Sequence, residues 1–294
     1  MEEQRSRKLP ENSIPFVLAA SGHRDLVPGD LPQLRREAGE LIARMAARMT
    51  STPLLLLTGL AEGADQLIAE VALNYGAYLA VVLPLPVGLY RTLMAEEARS
   101  NFDCLLARAS LTIHLPLSSS EKELAESEAK QAMQYGALAD FLAQHCQALI
   151  ALWDGLYSAR HGGTFEVVRS VLAGVEYKDC MEPLRGTVYQ IVTPRQEHKS
   201  PIPEAFELHV MRCPSDLDRG ARAVPDEYLR IQKLKAAQRQ EKAEPDLETI
   251  SLNADDLKKW RLKPRQRFGR WLADQNTSGG KALRACAISY GFRS

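Results

Sequence analysis

The chain has 294 residues, which suits one large domain or one domain with an appendage. Hydrophobic residues make up 45% and charged residues 25%, an ordinary globular balance with ample material for a core. Lys+Arg and Asp+Glu stand at 37 each, so whole-molecule charge singles out neither a nucleic acid nor a membrane surface as partner.

In chain order, the apolar run 14–20 (IPFVLAA) predicts a first strand. Residues 31–49 place Leu34, Ala38, Leu41, Ile42, Met45 and Met49 on one face and predict a helix. Pro53 stops it, and 54–58 (LLLLT) reads as a buried strand. A second helix over 64–75 carries Leu67, Ile68, Val71 and Ala72 on one face and ends at Gly76. Residues 78–83 (YLAVVL) form a third strand, closed by Pro84 and Pro86. A charged helix follows over 92–109, then a short edge strand over 111–115 and a polar loop or helix cap over 117–126. Next come a helix over 129–146, a strand over 148–153 (ALIALW), a helix over 164–173 and a strand over 187–192 (TVYQIV).

Strands that are apolar throughout, each followed by a helix, predict a mostly parallel sheet covered on both faces. The expected fold class is α/β, doubly wound and Rossmann-like, with a helical C-terminal extension. The domain is expected over 12–195 and the extension over 201–294, where strands are expected to vanish. Within the extension, 228–242 reads as a polar helix, and 258–270 (KKWRLKPRQRFGR) is dense in cations without an acid. In doubly wound sheets, ligands bind beyond the carboxyl ends of the strands. The loops after strands are therefore where chemistry is expected.

Three such loops carry glycines. After the first strand come Ser21, Gly22, His23, Arg24 and Asp25: small residues that let a backbone approach a ligand, and a guanidinium that can clamp phosphate or carboxylate. After the second come Gly59, Leu60, Ala61, Glu62, Gly63 and Asp65, a turn entering a helix whose first N–H groups and dipole favour an anion. It lacks the G-x-G-x-x-G spacing of dinucleotide turns. After the strand at 148–153 come Asp154, Gly155, then His161, Gly162, Gly163, Thr164 and Glu166 at a helix start, suited to phosphate or ribose. Ser21, Gly22, His23, Arg24, Gly59 to Gly63, Asp65, Asp154, Gly155, Gly162, Gly163 and Thr164 are the candidate ligand-binding residues. Tyr90, Trp153 and Arg195 lie on or near the same expected rim.

GHRDL, TGLAEGADQLIAEVAL and ALIALWDG with GGTFEVV, in this order, together resemble the SLOG superfamily, the Rossmann-like group of the DNA-processing Smf (DprA) proteins and the LOG nucleotide phosphoribohydrolases. The pattern is most similar to a bacterial, nucleotide-sensor-like branch linked to signalling and conflict systems. The resemblance covers about 12–195 and implies binding of a nucleotide or nucleotide-derived ligand. The LOG motif P-G-G-x-G-T-x-E-E implies a catalytic role for Glu166, but here His161 replaces the Pro, one Gly differs and Val167 replaces the second acid. The Arg that those enzymes carry on the preceding helix is absent from 131–147.

Three functions follow as expectations: a nucleotide-binding sensor; an N-glycosidic hydrolase of nucleoside monophosphates, with Glu166 as its carboxylate and Asp154 or Asp65 as a second acid; or a Smf-type single-strand nucleic-acid binder. Cations interleaved with Trp260, Phe268 and Trp271 offer a second route to nucleic acid. No cofactor is expected. The five cysteines, Cys104, Cys146, Cys180, Cys213 and Cys286, show no C-x-x-C spacing, so neither metal nor disulfide is expected. The polar N-terminus and the lack of a membrane-length apolar run predict a cytoplasmic protein. The charged helix 92–109 is a candidate homodimer surface.

Overall fold

The computed structural model describes residues 7–158, 161–174, 183–197, 202 and 204–220. The expectations on 228–242 and 258–270, and on Cys180 and Cys286, lie outside the described residues.

Seven strands form one sheet in the order β4-β3-β2-β1-β5-β6-β7. They are β1 (Phe16–Gly22), β2 (Leu54–Thr58), β3 (Tyr78–Leu83), β4 (Leu111–His114), β5 (Ala148–Trp153), β6 (Thr187–Val192) and β7 (Leu208–Met211). All neighbours pair in parallel except β7, which runs antiparallel to β6. The fold is thus α/β and Rossmann-like. The chain fills one side of β1 through β4, then crosses to its other side with β5, so strand order reverses between β1 and β5.

Parallel strands buried on both faces need apolar residues at every position, and the burial bears this out. Leu18, Ala20, Leu56, Leu79, Val81, Ile150 and Leu152 share one core with Leu34 and Ile42 of α1 (Leu31–Arg48) and Ile68 of α2 (Ala64–Asn74). The intervening Val17, Ala19, Leu55, Leu57, Val82, Leu149 and Ala151 are equally buried, and by strand alternation face the opposite side. Leu138 and Leu142 of α6 (Glu128–His145) and Phe165 and Val168 of α7 (Thr164–Ala173) are buried outside the first core.

Two of the expected elements differ in extent or continuity. The first strand starts at Phe16 and runs through Ser21 and Gly22, because those residues pair with Ala151 and Leu152 of β5. The charged segment is two helices, α3 (Val87–Thr92) and α4 (Glu96–Ala107). Extended Ala95 breaks them, and its N–H donates to Glu62 Oε2 at 2.8 Å. Between α4 and α6, Ser120 and Glu123 form a reciprocal cap for α5 (Glu121–Glu126).

β7 corrects the expectation that strands end before residue 201. Its four residues pair with Val188 to Ile191, and α8 (Pro214–Gly220) follows. Only Met211 of β7 is buried, so the strand is too short and too exposed to show a period in sequence. No helix of the described residues is long and apolar enough to cross a membrane.

Candidate functional site

At the carboxyl ends of β1 and β5, where strand order reverses, the structure holds a cavity of about 800 Å³. Pockets for nucleotide-sized ligands run roughly 300–1,000 Å³, so this one takes more than a single ring. Its walls come from all three glycine-bearing loops and from α6.

The β1 loop supplies Ser21, Gly22, His23, Arg24 and Asp25. Gly22 has a packing reason: a Cβ there would lie 2.4 Å from Ala64 Cβ and 2.6 Å from the Leu152 carbonyl oxygen. It lets α2 and β5 close on β1. Asp25 is held by Arg195, whose Nε lies 2.9 Å from Oδ1 and 3.1 Å from Oδ2. With the Gln196 N–H donating to the Asp25 carbonyl, this fastens the loop to the end of β6.

Arg24 is different. Its guanidinium lies over the Tyr135 ring, 5.3 Å from the centroid, and among the described residues no carboxylate forms an ion pair with it. The residue is exposed and lines the cavity. Desolvation opposes its charge, but Tyr90, Tyr135 and Glu62 outweigh that and raise its pKa, so it stays cationic.

His23 and Asp154 meet across the strand ends, with His23 Nε2 3.1 Å from Asp154 Oδ1 and 3.0 Å from the Asp154 nitrogen. A ring protonated on Nδ1 accepts from that N–H; one protonated on Nε2 donates to the carboxylate instead. Burial alone would raise the Asp154 pKa, yet His23, the Leu156 N–H and Arg195 outweigh it and hold the pKa below the ordinary value.

Of the 58–65 turn, only Ala61 and Asp65 reach the cavity. Leu60 is fully buried in the core with φ 54°, a left-handed conformation uncommon for a residue with a side chain. Glu62 is turned to Ala95. Gly63, at φ 82°, sits where a Cβ would come within 2.5 Å of the Arg24 carbonyl oxygen, so the β1 loop demands a glycine there. Asp65 organises the turn: Thr58 Oγ1 donates to Oδ2 at 3.0 Å, and the Ala61 N–H at 3.4 Å. Burial pushes its carboxyl up to about 7 despite those bonds and the nearby Arg24.

The loop before α7 supplies His161, Gly162, Gly163 and Thr164. Gly162, at φ 74°, packs so closely on α6 that a Cβ would fall 2.3 Å from Tyr135 Cβ. Gly163 is the N-cap and offers no side chain, so the first N–H groups of α7 have no side-chain cap. Thr164 is the first helical residue, not the cap.

Glu166 stands apart from the other candidates of this loop. It does not line the cavity. One carboxylate oxygen accepts from the Gly162 N–H, and the other lies 3.1 Å from His161 Nδ1 and 3.7 Å from Arg169. It is a first-turn acid that closes its own loop, favoured by the helix dipole. Gly59, Leu60, Glu62, Gly63 and Gly155 also lie outside the lining; Gly155 is buried at φ 79° behind it. Among the described residues, no group of three or more His, Cys, Asp or Glu is placed to hold a metal ion.

With this geometry in view, no protein-family model matches the chain, and no curated protein does. Solved structures that are similar in part include two DNA processing proteins. DNA processing protein A (DprA) from Streptococcus pneumoniae matches at 15% identity and a TM-score of 0.35, over 52% of this chain and 45% of that one. DprA from Helicobacter pylori, described with a single-stranded DNA binding mode, matches at 16% identity and a TM-score of 0.34, over 54% of this chain and 61% of that one. The chain thus spans less than two thirds of either protein, and the likeness concerns the fold alone.

Sequence reasoning missed the α6 wall. Ala129, Ala132, Tyr135, Leu138 and Ala139 all line the cavity. The available signal was a stripe of small residues, Ala129, Ala132, Gly136 and Ala139, at helical spacing on one face. Such a stripe lets a helix approach loops closely: a Cβ on Gly136 would sit 2.6 Å from His161 Nε2.

Proposed function

We propose that this cavity binds a nucleotide or nucleotide-derived ligand through its phosphate, and that the domain acts as a sensing element rather than a hydrolase. The observation that carries this reading is Arg24: an exposed cation that lines the cavity, with no ion-pair partner among the described residues. A phosphate supplies the missing charge and matches the planar fork of donors. The uncapped start of α7 lines the same cavity, and helix N-termini favour anions. Tyr135, beneath Arg24, and Tyr157 add aromatic faces suited to a base.

A sensing role is favoured over hydrolysis because Glu166, the carboxylate that the LOG resemblance implies for catalysis, is not itself among the lining residues and is engaged by Gly162 and His161 at the cavity wall. The bacterial signalling setting implied by the resemblance fits binding without turnover.

The test is isothermal titration of the full chain with nucleoside 5′-monophosphates, ADP-ribose and a short single-stranded DNA. The expected result is 1:1 binding of at least one mononucleotide or ADP-ribose, weakened at least about 30-fold by Arg24→Ala, with intact substrate recovered afterwards. One charge-assisted bidentate contact of about 2–3 kcal/mol sets that factor. Binding confined to DNA favours the Smf-type function instead. Release of free base favours the hydrolase. A folded protein that binds none of these ligands refutes all three readings.

A further inference from the structure

The β1 loop is fastened on both flanks. On one, the Ala64 N–H donates to the His23 carbonyl at 3.0 Å. On the other, the His23 N–H donates to the Leu152 carbonyl at 3.0 Å. β1 is accordingly the midline of the cavity. Ala61 and Leu93, which follow β2 and β3, line it on one side. Tyr157 and Arg195, which follow β5 and β6, line it on the other. All four are partly exposed. At roughly 4.8 Å per strand, the strand ends from β3 to β6 span roughly 19 Å.

Helix α6 straddles the same line. Positions seven apart on a helix share a face to within about 20°. Gln131 therefore stands in one row with Leu138, whose Cδ2 lies 2.7 Å from where a Gly59 Cβ would be, beside β2. Ala129 stands in one row with Gly136, where a Cβ would lie 2.6 Å from His161 Nε2, beside the loop that follows β5. Tyr135 lies between these rows and carries the Arg24 guanidinium over its ring.

We propose that the ligand has two nucleoside- or sugar-sized arms joined through a pyrophosphate bridge, with the bridge at Arg24 and one arm on each side of β1. This rests on the nucleotide reading above and deepens it. A mononucleotide extends from its phosphate in one direction only and leaves one side of the cavity bare. The bridge has two anion holders from different elements, Arg24 and the first N–H groups of α7. Charge points the same way. Among the described residues, the carboxyl groups of Asp25, Asp65, Glu128, Asp154 and Glu197 line the cavity together with the guanidinium groups of Arg24 and Arg195. A terminal phosphate carries close to two negative charges near pH 7, whereas each phosphate of a bridge carries one. So acidic a lining favours the bridge.

The test is isothermal titration of the full chain with ADP-ribose, diadenosine 5′,5′-pyrophosphate and the β-methyl ester of ADP. The ester keeps the charge of the bridge and lacks the second arm. At least one two-armed ligand is expected to bind about tenfold or more tighter than the ester, a factor that burial of about 60 Å² of apolar surface on the second arm accounts for. Ala61→Phe fills the β2 side and keeps the backbone N–H that Asp65 accepts from; Ala129→Phe, at an exposed position, fills the β5 side. Each is expected to bring the ratio below about threefold. Should Ala61→Phe fail to fold, the wild-type comparison and Ala129→Phe decide. An ester that binds as tightly as both two-armed ligands overturns the two-armed ligand but leaves the nucleotide reading standing, as does a ratio that survives either substitution in a folded protein. Binding of none of the three, nor of any mononucleotide, overturns both.

Discussion

Asp65→Asn should make this protein more stable, and the gain should depend on pH in a defined way. Asp65 is 6% exposed, and burial raises its carboxyl from 3.8 to about 7. Its folded pKa therefore lies above its unfolded one. Between about pH 4 and 7 the native state keeps a proton that the unfolded chain has released, so stability falls as pH rises through that window. Below it the group costs nothing, and above it the cost is constant. A shift of about three units corresponds to about 4 kcal/mol in all, of which about 2 kcal/mol develops between pH 5 and 7. Asparagine does not titrate, yet its carbonyl can still accept from Thr58 and from the Ala61 N–H, which hold Oδ2 in the wild type. Urea denaturation of both proteins at pH 5, 6, 7 and 8 gives the difference directly, and all other titrating groups cancel to first order. The gap should widen by about 2 kcal/mol from pH 5 to 7 and then level off. At pH 8 it should raise Tm by roughly 8–16 °C for a domain of this size. Parallel stability curves, or a gap that shrinks with rising pH, would refute the assignment of Asp65 as a buried acid neutral near pH 6.

Other substitutions separate binding from folding. Glu166→Ala should cost about 1–2 kcal/mol by freeing the Gly162 N–H and His161, while nucleotide affinity stays within about threefold; a loss of binding beyond about tenfold would return Glu166 to the ligand. Arg24→Ala should leave Tm within a few degrees, because the guanidinium bonds no carboxylate among the described residues, yet should remove most affinity; a large fall in Tm would give Arg24 a structural role. Gly63→Ala should destabilise by at least about 3 kcal/mol, since a positive φ and a Cβ 2.5 Å from a carbonyl oxygen add; thermal denaturation reads this, and a neutral effect would mean that the β1 loop is free to shift.

The parallel core was legible because burial on both faces writes itself as unbroken apolar runs. All six strands after which a helix or loop was expected are present, as are the long amphipathic helices α1, α2 and α6. β7 was not legible, since an exposed four-residue edge strand carries no period. The split between α3 and α4 depends on Glu62, 33 residues away, bonding the Ala95 N–H, and no local pattern encodes that. At the site, residue types were readable but their directions were not. Gly22 and Gly162 line the cavity, but what the sequence does not show is that at each of them, and at Gly63, another element packs too closely to leave room for a side chain. Glu166 looked like an active-site acid, yet it closes its own loop. Tyr135 and Tyr90 matter through contacts made only in the folded chain.

The most direct measurement is a crystal structure of the full chain soaked with the tightest-binding nucleotide from the titrations. Phosphate density within hydrogen-bond distance of the Arg24 guanidinium and the first amides of α7 is the predicted result. A nucleotide bound elsewhere, with no ligand atom at Arg24, would contradict the account.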